Sequence, residues 1–156
     1  MKSKTNAIRI IEKAGIVYKE AFYEYSEDDL SGTHAAEAMG MPAQQVFKTL
    51  VARGVKGGVY VFCIPVCREL DLKKAARAAC DKKVEMLPLK DLLPTSGYIR
   101  GGCSPIGMKK QYPTFFDESC EGYDVIAVSA GERGHQMLLA PTDLLRITKA
   151  KLENLT

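Results

Sequence analysis

One lysine and one glycine-rich stretch carry most of the chemical potential of this chain. Lys48 interrupts an otherwise apolar run, Val46-Phe47-Lys48-Thr49-Leu50-Val51-Ala52. A lysine in such a run faces water at an edge, snorkels out of the core, or points into a polar pocket. Burying its charge alone is costly, so an inward lysine needs an anionic or carbonyl partner. The stretch Gly97-Tyr98-Ile99-Arg100-Gly101-Gly102-Cys103-Ser104-Pro105-Ile106-Gly107 holds four glycines in eleven positions, too many for a helix or strand interior. Glycine tolerates φ > 0 and close backbone approach, so the stretch is either a tight turn or a cradle of exposed amides for a carbonyl or phosphate oxygen. Arg100 and the downstream pair Lys109-Lys110 add positive charge on either side.

The remaining reactive residues point away from several chemistries. Five cysteines (Cys63, Cys67, Cys80, Cys103, Cys120) form no C-x-x-C pair, which argues against a disulfide framework and a zinc ribbon. Reduced thiols in a cytoplasmic protein are the expectation. With only His34 and His135 available, no metal and no cofactor are expected. There is no Gly-x-Ser-x-Gly elbow, and no cysteine or histidine sits in a local context that would activate it as nucleophile or base. A thiol-redox or metal protein rests on the cysteines alone. The densest basic cluster, Lys73, Lys74, Arg77, Lys82 and Lys83, is either a solvated face or a phosphate-contacting patch. A net charge of +3 is too mild for tight non-specific DNA binding but leaves room for contact with a few phosphates. No apolar run reaches the length of a signal peptide or a bilayer span, so no membrane partner is expected.

The elements that must position these residues follow from periodicity and punctuation. At 156 residues with 46% hydrophobic content, one domain spanning residues 1–156 is expected, with a core of its own. Apolar residues at helical spacing predict a helix from Thr5 to Ala14, stopped by Gly15. Ile16 to Tyr25 reads as a strand, followed by the acidic loop Ser26-Glu27-Asp28-Asp29. A short helix spans Thr33 to Met39, and Met41-Pro42 opens another helical turn. Val46 to Ala52 and Val59 to Ile64 form a hairpin around Gly54-Val55-Lys56-Gly57-Gly58; the second strand is apolar on both faces and therefore central. Asp71 caps a helix from Leu72 to Cys80, a strand covers Val84 to Met86, and a short helix lies at Leu87 to Leu93 between Pro88 and Pro94. Strands are expected at Tyr112–Phe116, Tyr123–Ser129 and His135–Leu139, the last two joined by a turn at Ala130–Gly134, before a helix from Leu144 to about Leu152. The sum is an α+β domain, a mixed and mostly antiparallel sheet curled into a barrel-like core with surrounding helices.

Taken in order, these motifs resemble the YbaK/EbsC family, free-standing editing proteins related to the insertion domain of bacterial prolyl-tRNA synthetase. The resemblance covers nearly the whole chain. It rests on Lys48 in its run, Gly101-Gly102-Cys103-Ser104-Pro105-Ile106-Gly107, Ala35-Ala36-Glu37 with Gly40, Leu72-Lys73-Lys74-Ala75-Ala76, Lys82-Lys83-Val84-Glu85-Met86 and Ala140-Pro141-Thr142-Asp143-Leu144. It implies a cytoplasmic deacylase acting on mischarged aminoacyl-tRNA, chiefly Cys-tRNA(Pro) and also Cys-tRNA(Cys), beside prolyl-tRNA synthetase. The implied mechanism is substrate-assisted: the thiolate of the bound cysteine attacks its own ester carbonyl. Lys48, Gly101 and Gly102 would then be the catalytic residues, with Lys48 on the terminal adenosine phosphate or the carbonyl and the glycine amides on the oxyanion. Tyr23, Ser104, Pro105 and Asp143 would bind substrate, and the basic cluster would hold tRNA. Two positions depart from the family pattern. Cys103 stands where an aliphatic residue is usual, and the pocket tyrosine, Tyr23 or alternatively Tyr25, lacks the histidine that usually follows it. The same fold editing Ala-tRNA(Pro) by water attack, and a non-catalytic module that binds tRNA ends, are the alternatives.

Overall fold

The computed structural model describes residues 4–156. The expectation of no apolar leader falls partly on residues 1–3, which lie outside them. Thirteen helices and strands run α1 (Asn6–Lys13), β1 (Tyr18–Phe22), α2 (Gly32–Met39), β2 (Phe47–Gly54), β3 (Val59–Pro65), α3 (Leu72–Ala78), β4 (Val84–Met86), α4 (Leu89–Ser96), β5 (Thr114–Asp117), β6 (Ile126–Glu132), β7 (His135–Leu139), α5 (Pro141–Thr148) and β8 (Lys151–Glu153), with short 3₁₀ turns at Ala43–Gln45 and Glu118–Gly122. The strands form a three-stranded sheet, β1-β7-β6, and a five-stranded sheet, β4-β2-β3-β5-β8. The expected single curled sheet is thus two open sheets, linked by one parallel bridge between Val46 and Ala127, with no closed barrel among the described residues. Pairing is mostly antiparallel, with β5 parallel to both β3 and β8. The apolar strand β3 sits at the centre of its sheet, as its two-faced pattern requires.

Period-two alternation divides the core. Phe47, Val61, Cys63 and Phe116 face α1 and the three-stranded sheet, where Ile8, Ile11, Val128 and Met137 are buried with them. Phe62, Ile64 and Phe115 face the other way and are covered by Ala75 and Ala76 of α3 and by Leu155. Alanines there let α3 lie close to the stacked rings of Phe62 and Phe115, whose centroids are 5.4 Å apart.

Several boundaries differ from the sequence expectation; strand β1, for example, is shorter than the expected Ile16–Tyr25. The last helix ends at Thr148, not near Leu152, because Lys149 turns the chain with φ 57 and β8 then pairs with β5. The stop is made by a lysine in the left-handed region, where no glycine announces it. Strand β6 continues to Glu132, past the expected turn at Ala130, with a register shift between Ser129 and Glu132. Helix α4 passes through Pro94 to Ser96; the Ser96 hydroxyl donates to Leu92 O at 2.7 Å and Gly97 N–H to Leu93 O at 2.9 Å. Among the described residues no helix is long and apolar enough to cross a membrane.

Candidate active site

Strand β2 enters a cavity of about 430 Å³ walled by the start of α2, helix α4, the glycine stretch and the β6–β7 ladder. Lys48 lies on it half-buried, opposite Ile64 in the β2–β3 register, at the end of the face that holds Leu50 and Ala52. Its ammonium makes no hydrogen bond or ion pair with any other described residue. Arg100 also lines the cavity, and no aspartate, glutamate or histidine does. The chamber therefore carries uncompensated positive charge and favours an anionic or carbonyl group, the partner an inward lysine demands.

The glycine stretch is a cradle, but a selective one. Gly101 takes φ +87, lines the cavity, and its N–H has no hydrogen-bond partner among the described residues. The N–H of Cys103, also on the wall, is likewise unbonded. Gly102 is buried behind them and its N–H donates to Ile99 O at 3.0 Å, so it closes the loop on itself and is not available to an oxyanion. Its lack of a side chain has another use: a Cβ there would stand 3.1 Å from the Glu132 backbone, so an added methyl would push the loop and the β6–β7 hairpin apart by a few tenths of an ångström. The Arg133 Nε clamps the same contact by donating to Arg100 O at 2.8 Å.

Of the remaining expected site residues, Tyr23 lines the cavity, whereas Tyr25 packs by Gly134 and borders shallow hollows outside it. Ser104 is fully buried, its hydroxyl accepting from Ile106 N–H, and Pro105 faces a separate hollow beside Ile10 and Tyr112. Asp143 sits in the first turn of α5, paired with Arg146 at 2.8 Å and off the cavity wall. Lys73, Arg77, Lys82 and Lys83 are exposed and lie off the cavity, and Lys74 is tied to Thr156 O at 2.8 Å. Strand β4 runs from the Lys82–Lys83 pair to Met86 on the cavity rim, a distance of about 10 Å at the usual strand rise.

Sequence reasoning missed Ser129 and Gln136, which face each other across β6 and β7 and both line the cavity. The signal was there: each is a polar residue at a buried position of an apolar strand. The serine hydroxyls on the wall are engaged in local structure. Ser31 donates to Asp29 at 2.7 Å and caps α2, and the Ser129 hydroxyl accepts from Gly131 N–H at 3.1 Å. Burial pushes the Cys103 thiol up to about 12, so it stays protonated at neutral pH and makes a poor nucleophile. The wall thus offers donors and a cation, and no activated protein nucleophile.

A model of the aminoacyl-tRNA editing domain matches residues 31–147, a span that includes Lys48, the glycine cradle and Gln136. The chain belongs to this family. The match agrees with the resemblance read from its motifs. An Enterococcus faecalis protein named "Putative Cys-tRNA(Pro)/Cys-tRNA(Cys) deacylase EbsC" is 52% identical over 155 residues, which are 99% of this chain and 94% of that one. Among solved structures, one titled "Crystal structure of a putative trans-editing enzyme for prolyl tRNA synthetase" superposes with a TM-score of 0.80 at 25% identity, covering 99% of both chains. The hypothetical protein APE2540 reaches a TM-score of 0.87 at 18% identity over 97% of this chain and 99% of that one, a likeness of fold.

Proposed function

We propose that this editing-domain protein is a trans-acting deacylase that removes cysteine from mischarged tRNA(Pro), working in the cytoplasm beside prolyl-tRNA synthetase. One observation carries the reading: the cavity combines an unpaired lysine and free backbone amides with no side chain that could act as an activated nucleophile or base. Such a site suits a substrate that brings its own nucleophile. The cysteine thiol loses its proton, its sulfur forms a bond to the ester carbonyl carbon, and the carbon–oxygen bond to the ribose breaks. The ribose oxygen takes a proton, tRNA departs, and water later opens the four-membered thiolactone. The protein supplies near-attack geometry and charge for the oxyanion. In this reading the Gly101 and Cys103 N–H groups serve the oxyanion, and Lys48 the terminal phosphate or carbonyl. The exposed cations Lys73 and Arg77 on α3, and Lys82 and Lys83 just before the strand that leads to the rim, suit the acceptor-stem phosphates. Editing is needed because a pocket sized for proline rejects a similar-sized amino acid by only about 1–3 kcal/mol.

The test is deacylation of cysteinyl- and alanyl-tRNA(Pro) by the wild type and Lys48→Ala. Rapid, Lys48-dependent loss of the cysteinyl ester with a stable alanyl ester is expected. Equal or faster loss of the alanyl ester would transfer the chemistry to water attack. Binding of acceptor RNA with both esters intact would leave a non-catalytic module.

A further inference from the structure

One polar side chain on the cavity wall has no role in the scheme above. Gln136 is 6% exposed, and its Oε1 is buried with no hydrogen-bond partner among the described residues. Its amide nitrogen is not hydrogen-bonded to another described residue either. Across β6 it faces Ser129, and across β1 it faces Ala21, which offers no side-chain partner. Leaving a carboxamide oxygen unpaired in the interior is unfavourable, and apolar residues such as Met137 and Leu139 fill neighbouring positions of the same strand. The fold alone does not call for glutamine here.

The chemistry of the cavity indicates what the carboxamide is for. An aminoacyl ester presents an acceptor, the carbonyl, and a strong donor, the α-amino group. Lys48 and the free amides of Gly101 and Cys103 are all donors, suited to the carbonyl and the phosphate. No carboxylate lines the cavity to receive the amine, and the Ser129 oxygen already accepts from Gly131. The carbonyl of Gln136 is the buried side-chain acceptor of the wall left unsatisfied among the described residues, and a half-turn of the carboxamide presents either of its ends. A thiol is a weak donor by comparison with an amine.

We propose that the side-chain carbonyl of Gln136 accepts a hydrogen bond from the α-amino group of the bound aminoacyl ester and so fixes the rotation of the amino acid within the cavity. The proposal rests on the deacylase reading. With the amine held on β7 and the carbonyl on the glycine cradle, the bond between the α-carbon and the carbonyl carbon cannot turn freely, and the side-chain thiol is held against the ester it must attack. Gln136 thereby selects for a free α-amino group, a property neither Lys48 nor the cradle confers.

The test compares cysteinyl-tRNA(Pro) with N-acetyl-cysteinyl-tRNA(Pro), which keeps the thiol and the ester but not the free amine. The wild type is expected to cleave the free-amine substrate at least ~10-fold faster, in line with one hydrogen bond to a charged group. Gln136→Leu and Gln136→Met should slow that substrate about 10-fold and leave the acetylated one unchanged, so the preference collapses. Gln136→Glu, which keeps an acceptor, should retain it. Melting temperatures of the apolar variants should equal or exceed that of the wild type. Equal slowing of both substrates, an unchanged preference, or loss of folding in both apolar variants would overturn the inference, because each makes Gln136 a structural residue. If the wild type cleaves neither cysteinyl nor alanyl ester, the deacylase reading falls and this one with it. Activity with an intact preference in every variant refutes Gln136 alone.

Discussion

Buried polar groups are treated in opposite ways in two regions of this molecule. At the C-terminal edge of the five-stranded sheet, Asp117 is 3% exposed and both its oxygens are used, one by Leu155 N–H at 3.0 Å and the other by Ser119 N–H at 3.2 Å. Beyond the cavity on β7, the His135 ring is held between Glu20 at 2.7 Å and Glu132 at 2.9 Å and stacks on Phe22. Around the cavity the pattern reverses: Lys48, the Gly101 amide and the Gln136 carboxamide have no partner among the described residues. A buried acceptor left unpaired, such as the Gln136 carbonyl, costs about 1–3 kcal/mol, which a ligand in the cavity would offset; Lys48 and Gly101 are half-buried and open onto the same cavity. Paired groups report what the fold requires, and unpaired ones report what the site is for.

Lys48→Ala gives the sharpest break in that contrast. It removes a cation that no protein group balances, so catalysis should fall by about 100-fold or more while the melting temperature stays close to that of the wild type. Acylated-tRNA turnover and thermal denaturation on the same preparation check both halves. Asp117→Ala should do the reverse. Two backbone N–H groups lose their acceptor in the interior, at a cost of about 2–4 kcal/mol. That corresponds to a fall of about 5–15 °C in melting temperature, with turnover per folded molecule unchanged. If Asp117→Ala left stability intact, or Lys48→Ala unfolded the chain, the division between the two regions would not hold.

Gly102 tests the border between them. Its amide belongs to the loop, yet its missing Cβ lets the cradle rest on the hairpin that carries Gln136 and Ser129. In Gly102→Ala the new methyl must displace the Glu132 backbone by a few tenths of an ångström, a strain of about 1–3 kcal/mol. The expected result is a loss of about tenfold in kcat/KM together with a modest fall in stability, since one substitution disturbs both the site and the packing. Unchanged kinetics would mean that the cradle keeps its geometry without the hairpin.

What could be read from the sequence follows the same physics. Strand β3 was legible because a two-faced apolar run belongs at the centre of a sheet, and Lys48 because a charge inside such a run needs a reason. The glycine stretch announced a shaped backbone, yet nothing local distinguished the free amide of Gly101 from the committed one of Gly102; that depends on where Ile99 O falls. Strand β8 was hidden because Lys149 supplies the left-handed turn that glycine usually signals. Its pairing with β5 joins segments more than thirty residues apart. Gln136 was overlooked because polarity on a strand ordinarily means a solvent face, and only tertiary packing shows that this one is buried.

The mildest test concerns Asp81, a satisfied polar group off the cavity wall. Burial works against its ionised form, but donors from the Tyr60 hydroxyl at 2.9 Å and from the Lys83 and Lys82 backbone outweigh that cost and hold its carboxyl below the ordinary value of 3.8. A depressed carboxylate pKa contributes stability that is present above the unfolded value and lost as pH falls through the folded one. Tyr60→Phe removes the donor while keeping the ring against Phe62. The variant should therefore melt below the wild type near pH 7, and the gap should narrow as the pH drops below about 4. Thermal denaturation from pH 3 to 7 measures it directly. A gap that stays constant with pH would assign the Tyr60 hydroxyl a packing role alone. A gap that closes would show that the Tyr60–Asp81 contact stores stability in a paired polar group of the kind that the cavity withholds.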